Sequence, residues 1–333
     1  MRVLVVTVAA LGLAATASGG PSQSVCPRNA ALGTVTFPRG GHEHAVSLAT
    51  CAERVVGRSI RPAGQPLLSP DGRLAATVRA SGAGRSAKQT IWITDLRTHA
   101  RRAVFSETEY YKQIGPGDTP GPIVLLRVSG DNRWIFFTID PGGSGSIAAD
   151  GLVLRVVSTA GGRVHKLGLA LPYPDYLAWC GGRLVYVAGG DRVAIHAKRL
   201  LVAAPPNWRP KPLWNDRSLS FATPSCRPGV QSVAVLTQRS SVNADFFATR
   251  WQLWSVGLDG TRRKLDAPPP GWADESPWWS QDGRSLLFVR ERKGYGRLML
   301  LRDGRLFGPI VKLGFGLGYY GHHDWQLGWS AGA

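Results

Sequence analysis

The fold is decided by the stretch Asp274-Glu275-Ser276-Pro277-Trp278-Trp279-Ser280-Gln281-Asp282-Gly283-Arg284-Ser285-Leu286-Leu287-Phe288-Val289. Asp282-Gly283 is a tight-turn signal, because glycine accepts the positive φ that short hairpin loops demand. The residues after this turn, 286–289, are apolar at every position. A strand that is apolar on both faces fits burial between two neighbouring sheets. The stretch therefore predicts a β-hairpin whose second strand is buried in a layered all-β protein.

Other parts of the chain repeat this unit. The copies are Ser69-Pro70-Asp71-Gly72-Arg73, Ser129-Gly130-Asp131-Asn132-Arg133, Trp179-Cys180-Gly181-Gly182-Arg183, Ser225-Cys226-Arg227-Pro228-Gly229 and a truncated Trp329-Ser330-Ala331-Gly332. Their spacing of roughly 45 to 60 residues lies in the range of propeller blades. A second pair of β-rich runs follows each hairpin, for example residues 90–95 and 101–105. The repeats predict a single β-propeller built from four-stranded blades.

The two ends of the chain are expected to supply the last blade. Residues 32–37 and 45–48 flank a turn at 39–41, and the stretch through Trp325 and Trp329 is typical of an inner strand. Pairing the two ends would close the ring and remove its exposed strand edges. We therefore expect six blades over residues 31–333, with seven as the alternative. The Gly- and Pro-rich segments 106–122 and 203–219 are predicted to be loops on one face.

One family resemblance follows from these repeats. Residues 276–288 resemble the repeat of TolB-type propellers, Ser-Pro-x-Trp-Ser-Pro-Asp-Gly-x-x-apolar-apolar-Phe, with Gln281 in place of the second proline. Residues 68–78 are the next most similar copy, with Leu68 in place of tryptophan. Such propellers are modules of periplasmic binding proteins and accessory domains of peptidases. The resemblance implies the fold, and it leaves the function open.

The N-terminus has the pattern of an export signal. Arg2 precedes the apolar run 3–15, and Ala15-Thr16-Ala17 is a small-x-small cleavage site. The run is shorter than the about 20 residues that a membrane span needs. We expect a signal peptide at 1–17, a flexible leader at 18–30, and a secreted or periplasmic protein. The alternative is an uncleaved anchor that holds an extracytoplasmic sensor at the membrane, and we expect membrane contact only in that case.

Four cysteines are present, Cys26, Cys51, Cys180 and Cys226. In an exported chain an even number of cysteines indicates disulfides. Three pairings are possible, and the sequence alone does not fix the connectivity. We favour Cys26 with Cys51 and Cys180 with Cys226, because each pair closes a short loop. No Cys-x-x-Cys occurs, so neither a redox dithiol nor a zinc ribbon is indicated.

The formal net charge is +18. A charge of this size is typical of nucleic-acid binding, but export argues against nucleic acid as the partner. Anionic envelope polymers, lipid headgroups and acidic proteins are the better candidates. The alternative is that a basic surface only keeps the protein soluble. We expect a monomer.

Six residues are candidates for ligand binding: Tyr110, Tyr111, Tyr319, Tyr320, His322 and His323. Exposed aromatic side chains beside cations are typical of binding surfaces, although ordinary loop packing is the alternative. His42-Glu43-His44 and His322-His323-Asp324 would meet if the two chain ends share a blade, and could then bind a divalent metal. Their spacings match no established site, so we predict neither a metal nor a cofactor.

The sequence shows no repeated ring of carboxylates or histidines, and we expect its Asp residues to form turns. We therefore predict no catalytic residue. The predicted function is that of a non-enzymatic binding protein, which recognises a protein or an anionic cell-envelope polymer through its loops or central channel. The alternative is a glycosidase or lyase with its active site at the channel mouth, which would require placed carboxylates.

Overall fold

The computed structural model describes residues 26–58, 66–82, 88–107, 123–140, 150–193, 195–242, 250–313 and 328–330. Within these ranges the chain forms six four-stranded antiparallel sheets, each of which is one blade. In chain order the strands are β1 (Thr34–Arg39), β2 (His42–Ser47), β3 (Glu53–Arg58), β4 (Leu67–Leu68), β5 (Leu74–Ser81), β6 (Lys88–Asp95), β7 (Arg101–Glu107), β8 (Ile123–Val128), β9 (Trp134–Ile139), β10 (Leu152–Ser158), β11 (His165–Ala170), β12 (Leu177–Cys180), β13 (Arg183–Val187), β14 (Leu200–Ala203), β15 (Lys211–Trp214), β16 (Leu219–Cys226), β17 (Ser232–Arg239), β18 (Gln252–Gly257), β19 (Arg262–Asp266), β20 (Ala273–Trp279), β21 (Ser285–Arg292), β22 (Tyr295–Arg302), β23 (Arg305–Lys312) and β24 (Gly328–Ser330).

The strands are grouped by sequence into blades. Strands β4–β7 form blade 1, β8–β11 blade 2, β12–β15 blade 3, β16–β19 blade 4 and β20–β23 blade 5, while β24 joins β1–β3 in blade 6. The first strands of neighbouring blades contact one another, as β12 contacts β16 and β16 contacts β20. The first strand of each blade therefore lies nearest the axis. The prediction of an all-β propeller with six four-stranded blades is confirmed.

Blade 6 closes the ring as predicted. Strand β24 pairs antiparallel with β1, with Trp329 opposite Val35. The Trp329 indole Nε1 donates a hydrogen bond to the Leu32 carbonyl oxygen at 2.8 Å. The N-terminal part contributes three strands, one more than the predicted hairpin, because β3 follows β2 after the turn at 48–52.

The turn signals of the sequence fold as hairpins. In blade 5 the turn at 280–284 has Gly283 at a φ of 66°, and in blade 1 Gly72 has a φ of 70°. In blades 5 and 2 the strand after the turn is the most buried of its sheet: residues 286–290 of β21 are all buried, as are 135–139 of β9. Burial on both faces explains why these strands are apolar throughout.

Two inner strands contain a bulge with a proline. In β20 the pairing with β21 shifts between Glu275 and Trp278, so that Ser276-Pro277 is left out of the register. In β16 the shift between Ala222 and Ser225 leaves out Thr223-Pro224 in the same way. Proline has no N–H for the ladder and is tolerated at such bulges. The bulge in β20 places Asp274 directly opposite Arg290 of β21.

The antiparallel order gives the propeller two different faces. We call turn face the side on which the first strand of a blade connects to the second, and the third to the fourth. Its connections are short, for example 181–182, 258–261 and 303–304. We call loop face the opposite side, where the second strand connects to the third and one blade to the next. The strand ends that are joined by 108–122, and those joined by 188–199, lie on this side.

Hydrophobic clusters lie between neighbouring blades, one joining blades 2 to 5, one blades 1 and 2, and one blades 5 and 6. Disulfides join Cys26 to Cys51 and Cys180 to Cys226. The second of these links the turns of blades 3 and 4. Two disulfides indicate an oxidising, extracytoplasmic compartment. Among the described residues, none forms a helix of the length and apolar character that crossing a membrane requires.

The predicted loop at 203–219 is wrong in part, since residues 211–214 form β15. The prolines that suggested a loop lie where an edge strand tolerates them: Pro212 belongs to β15, the outermost strand of blade 3. Of the remainder, 204–210 is a connection on the turn face and 215–218 is a connection on the loop face, so the segment does not lie on one face as predicted. Residues 108–122 of the other predicted loop, the signal peptide and the leader up to residue 25 lie outside the described residues.

Candidate functional site

The six candidate binding residues, Tyr110, Tyr111, Tyr319, Tyr320, His322 and His323, lie outside the described residues. The segments that contain them join strand ends on the loop face, 107 to 123 and 313 to 328. Their role in ligand binding therefore stays a prediction.

His42-Glu43-His44 is one of the two histidine groups considered for a metal, and its His44 has a structural role. His44 is buried, its Nδ1 lies 2.7 Å from Glu53 Oε1, and its ring stacks on Phe37 with 5.5 Å between centroids. His42 is exposed at the turn between β1 and β2. In the described part of the chain, no group of three or more His, Cys, Asp or Glu side chains is arranged to hold a metal ion.

The Asp residues of the repeats form the turns. Asp71 Oδ1 accepts hydrogen bonds from the Ser69 hydroxyl at 2.6 Å and from the Arg73 backbone N–H at 3.0 Å. These bonds, that of Ser69 above all, lower the pKa of Asp71. In the same way, the backbone N–H of Thr98 lowers the pKa of Asp95 to about 2. Because the carboxylates are used by the backbone, they are poor candidates for catalysis.

A cluster of buried carboxylates that sequence reasoning missed lies at the loop-face end of blade 5. Asp274 is fully buried, and Arg290 Nε donates to its Oδ1 at 2.8 Å. Burial raises the pKa of Asp274 to about 6 despite this arginine. Arg290 also pairs with Asp266 of β19. The pairing could not be predicted without the register of β20 on β21.

Glu275 and Glu291 extend this cluster. Both are buried, and burial raises the pKa of each. The neighbouring charge of Glu291 raises the pKa of Glu275 further. The Gly294 backbone N–H donates to Glu291 Oε1 at 2.6 Å. Carboxyl groups in such surroundings can act as acids or bases, but Glu275 is only 1% exposed and offers no surface to a substrate in this conformation.

The turn face carries a ring of arginines. One lies in, or directly after, the first turn of each of blades 1 to 5: Arg73, Arg133, Arg183, Arg227 and Arg284. They recur because the turn signal itself ends in, or contains, an arginine. Hydrogen bonds join neighbouring turns, from Asn132 Nδ2 to Asp71 Oδ2 at 2.6 Å and from Arg227 Nε to the Gly283 carbonyl oxygen at 2.7 Å. We call these five residues the arginine ring.

Further cations surround the arginine ring at the beginning of the outer strands. Several lie over aromatic rings: Arg101 over Trp92 at 4.2 Å, Arg262 over Trp214 at 4.7 Å, Lys264 over Trp254 at 5.2 Å and Arg305 over Phe307 at 5.0 Å from the centroid. An aromatic ring holds a cation in place without cancelling its charge. The turn face therefore combines cations that keep their charge with carboxylates that accept hydrogen bonds in turns. One of these carboxylates, Asp95, also pairs with Arg73 of the arginine ring at 3.2 Å.

The turn face also has a pocket of about 380 Å³ in blade 3. Arg183, Asn207, Arg209 and Lys211 contribute the polar part of its lining. The recurring arginine after each turn signal was visible in the sequence, but its position on one face depends on the antiparallel order of the strands.

No family model and no curated protein matches the sequence. Solved structures do match. A TolB-type protein of Agrobacterium tumefaciens is 16% identical with a TM-score of 0.48, over 85% of this chain and 91% of that chain. TolB of Acinetobacter baumannii is 16% identical with a TM-score of 0.46. The match covers 84% of this chain and 63% of the Acinetobacter chain. Dipeptidyl peptidase 4 of Porphyromonas gingivalis is 10% identical with a TM-score of 0.48, over 85% and 43% of the two chains.

At these identities a likeness concerns the fold, because one fold carries many functions. The strand order of the chain itself establishes six four-stranded sheets with the N- and C-terminal strands in one of them. The chain is an all-β, six-bladed propeller, and its structure matches the propellers of TolB proteins and of a dipeptidyl peptidase.

Proposed function

We propose that the protein is an exported, non-enzymatic binding module whose turn face holds an anionic cell-envelope polymer. The observation that carries the proposal is the arginine ring, with its surrounding cations on the same face. Like charges collected on one face attract polyanions and raise their rate of encounter. The disulfides support an extracytoplasmic location, where such polymers are found.

A polymer fits this surface better than a folded protein. Protein interfaces are dominated by a few buried anchors, usually aromatic, near the centre of the contact. The turn-face cations instead recur from blade to blade around the axis. A polymer with a negative charge in each repeat unit can contact several blades at once, and its affinity grows with the number of simultaneous contacts.

A glycosidase or lyase is the second candidate function, and one observation favours it. Asp274, Glu275 and Glu291 form a group of carboxyls with raised pKa values near the axis. Glycoside hydrolysis uses paired carboxyls, one of them with a raised pKa. These side chains are buried, however, and lie at the face opposite to the arginine ring. Binding therefore remains the first proposal.

The test uses the full secreted chain, with polyphosphate and poly(glycerol phosphate) as anionic polymers and dextran as a neutral one. One variant combines Arg73→Gln, Arg133→Gln and Arg284→Gln, all exposed on the turn face. Its matched control combines Arg199→Gln, Arg217→Gln and Arg239→Gln, which are exposed on the loop face and remove the same charge. Affinities are measured at several salt concentrations, and polymer length is measured after incubation.

We expect both anionic polymers to bind, more weakly as salt rises, since exposed charges are screened beyond about 8 Å at physiological ionic strength. The turn-face variant should lose about tenfold or more in affinity, while the control loses much less. Equal losses in the two variants would contradict a role for the turn face. A shortened polymer would replace the proposal with the enzymatic alternative.

A further inference from the structure

The longest connection on the turn face, residues 204–210 between β14 and β15, borders the pocket of blade 3. The register of the sheet brings the cations of this pocket together. Ala203 of β14 lies opposite Leu184 of β13, and Val202 lies opposite Lys211 of β15. The first residues of the two flanking strands, Arg183 and Lys211, therefore lie on either side of the end of β14. Asn207 and Arg209 complete the rim from the connection.

A buried tryptophan holds this rim in place. Trp208 is 2% exposed, and its backbone N–H donates to the Ala204 carbonyl oxygen at 2.8 Å. Its indole lies edge-on to Trp134, 5.0 Å between ring centroids, and packs on Phe136 at 5.8 Å. Because Trp208 points into the core, its neighbours in the sequence are held at the rim. A rim fixed before binding loses less conformational entropy when a ligand arrives.

The pocket has two chemically different parts. The rim carries two guanidinium groups, one ammonium group and one amide. The floor is apolar and consists of Val202, Ala203, Ala204 and Pro205. No acidic side chain is among the described residues that line it, and none of its three cations forms an ion pair with another described residue. The three positive charges are therefore available to a ligand.

We propose that this pocket seats one phosphoryl group of the polymer together with the polyol or sugar unit that carries it. The inference deepens the proposed function and rests on it. Arginine forks bind phosphate oxygens in pairs, and a lysine adds a point charge, so three cations that line one pocket suit an anion with more than one negative charge. The C–H groups of the attached unit would lie on the apolar floor. A volume of about 380 Å³ has room for both parts.

Isothermal titration of the full chain with glycerol phosphate tests the inference, with inorganic phosphate, glucuronate and glycerol as comparison ligands. The pocket variant combines Arg183→Gln, Arg209→Gln and Lys211→Gln. The matched control combines Lys88→Gln, Arg217→Gln and Arg239→Gln, which also removes two arginines and one lysine, all exposed on the loop face. Thermal unfolding shows that both variants are folded, and binding of poly(glycerol phosphate) is measured on the same samples.

We expect glycerol phosphate to bind more tightly than inorganic phosphate, and glycerol not to bind. The pocket variant should lose about tenfold or more in affinity for glycerol phosphate, and the control less than about twofold. Equal losses, no binding of glycerol phosphate, or a preference for glucuronate would each overturn the assignment of a phosphoryl pocket. Polymer binding that survives such a result would leave the proposed function standing, whereas its absence in the unmodified chain would refute that function separately.

Discussion

The turn face and the loop-face end of blade 5 use charged residues in opposite ways. On the turn face Arg73, Arg133 and Arg284 are exposed. The Asp71 and Asp95 side chains accept hydrogen bonds from backbone N–H groups of their own turns, and Asp95 also pairs with Arg73. At the loop-face end of blade 5 the carboxyl groups are buried, and an arginine is enclosed with them. The first arrangement leaves charge for a ligand. In the second arrangement the charges pair with one another inside the protein, and little charge is available to a ligand.

The two regions should respond to pH in opposite directions. Asp95, whose pKa is lowered to about 2, adds stability above its unfolded pKa of 3.8, and this is lost as pH falls toward 2. Asp274, whose pKa is raised to about 6, binds its proton more tightly in the folded protein. Its contribution therefore falls as pH rises from 3.8 to about 6. The difference in sign follows from hydrogen bonding in the turns and burial in the cluster.

The substitution with the largest expected effect removes the arginine from the buried charge cluster of blade 5. Arg290→Met should lower the free energy of unfolding by about 3–5 kcal/mol at pH 8, because Asp274 and Asp266 lose the charge that faces them. The loss should shrink toward pH 5, since the carboxyl group of Asp274, whose pKa is raised to about 6, can then take up a proton. Denaturant unfolding at the two pH values measures both effects.

Arg292→Met is the control for this substitution. Arg292 lies two residues further along β21, is exposed, and contacts the Trp272 ring at 5.7 Å. Its loss should cost less than about 0.5 kcal/mol, as for most surface substitutions. If the two variants were equally stable, the cluster would not be the buried charge network described here.

The next effect concerns the covalent reinforcement of the turn face. The Cys180–Cys226 disulfide joins two blades across a sequence separation of 46 residues. Replacing both cysteines by serine should lower the free energy of unfolding by about 2–4 kcal/mol, because the unfolded chain regains the freedom that the crosslink removes. A reductant should destabilise the unmodified protein further than the variant, in which only Cys26–Cys51 remains. A variant as stable as the parent protein would contradict this role.

The hairpins of the fold can be predicted from the sequence, whereas the buried pairing of blade 5 cannot. Asp282-Gly283 identifies its hairpin because few residues accept a φ of 66°, and the apolar run at 286–289 then requires burial. Local chemistry of this kind recurs in every blade and gives the fold. The pairing of Asp274 with Arg290 depends on a two-residue bulge in β20, which changes the register. A pairing across strands that depends on such a shift is not visible in local patterns.

The pocket of blade 3 also depends on contacts that the sequence does not show. Four prolines between residues 205 and 212 indicated a loop, although β15 runs through the end of that segment. The strand forms because it lies at the outer edge of blade 3, where a missing N–H costs little. The inward position of Trp208 depends on Trp134 and Phe136 of the neighbouring blade. Long-range packing of this kind holds the cations of the pocket in place, and it cannot be predicted from the sequence repeats.

The substitutions with the smallest expected effect are at Gly72, and they test how much the conformation of a single turn contributes to stability and to polymer affinity. Gly72 has a φ of 70°, and a Cβ built at this position would meet no atom within 4 Å. Gly72→Ala should therefore cost only the backbone strain of the left-handed region, about 1–2 kcal/mol. Gly72→Asn should cost less, because asparagine tolerates this conformation better. Thermal unfolding of the two variants measures the difference, and polymer affinity should stay within about twofold since no charge changes. An alanine variant as stable as the parent would show that the turn accepts another backbone conformation, and Gly72 would then not be what positions Arg73.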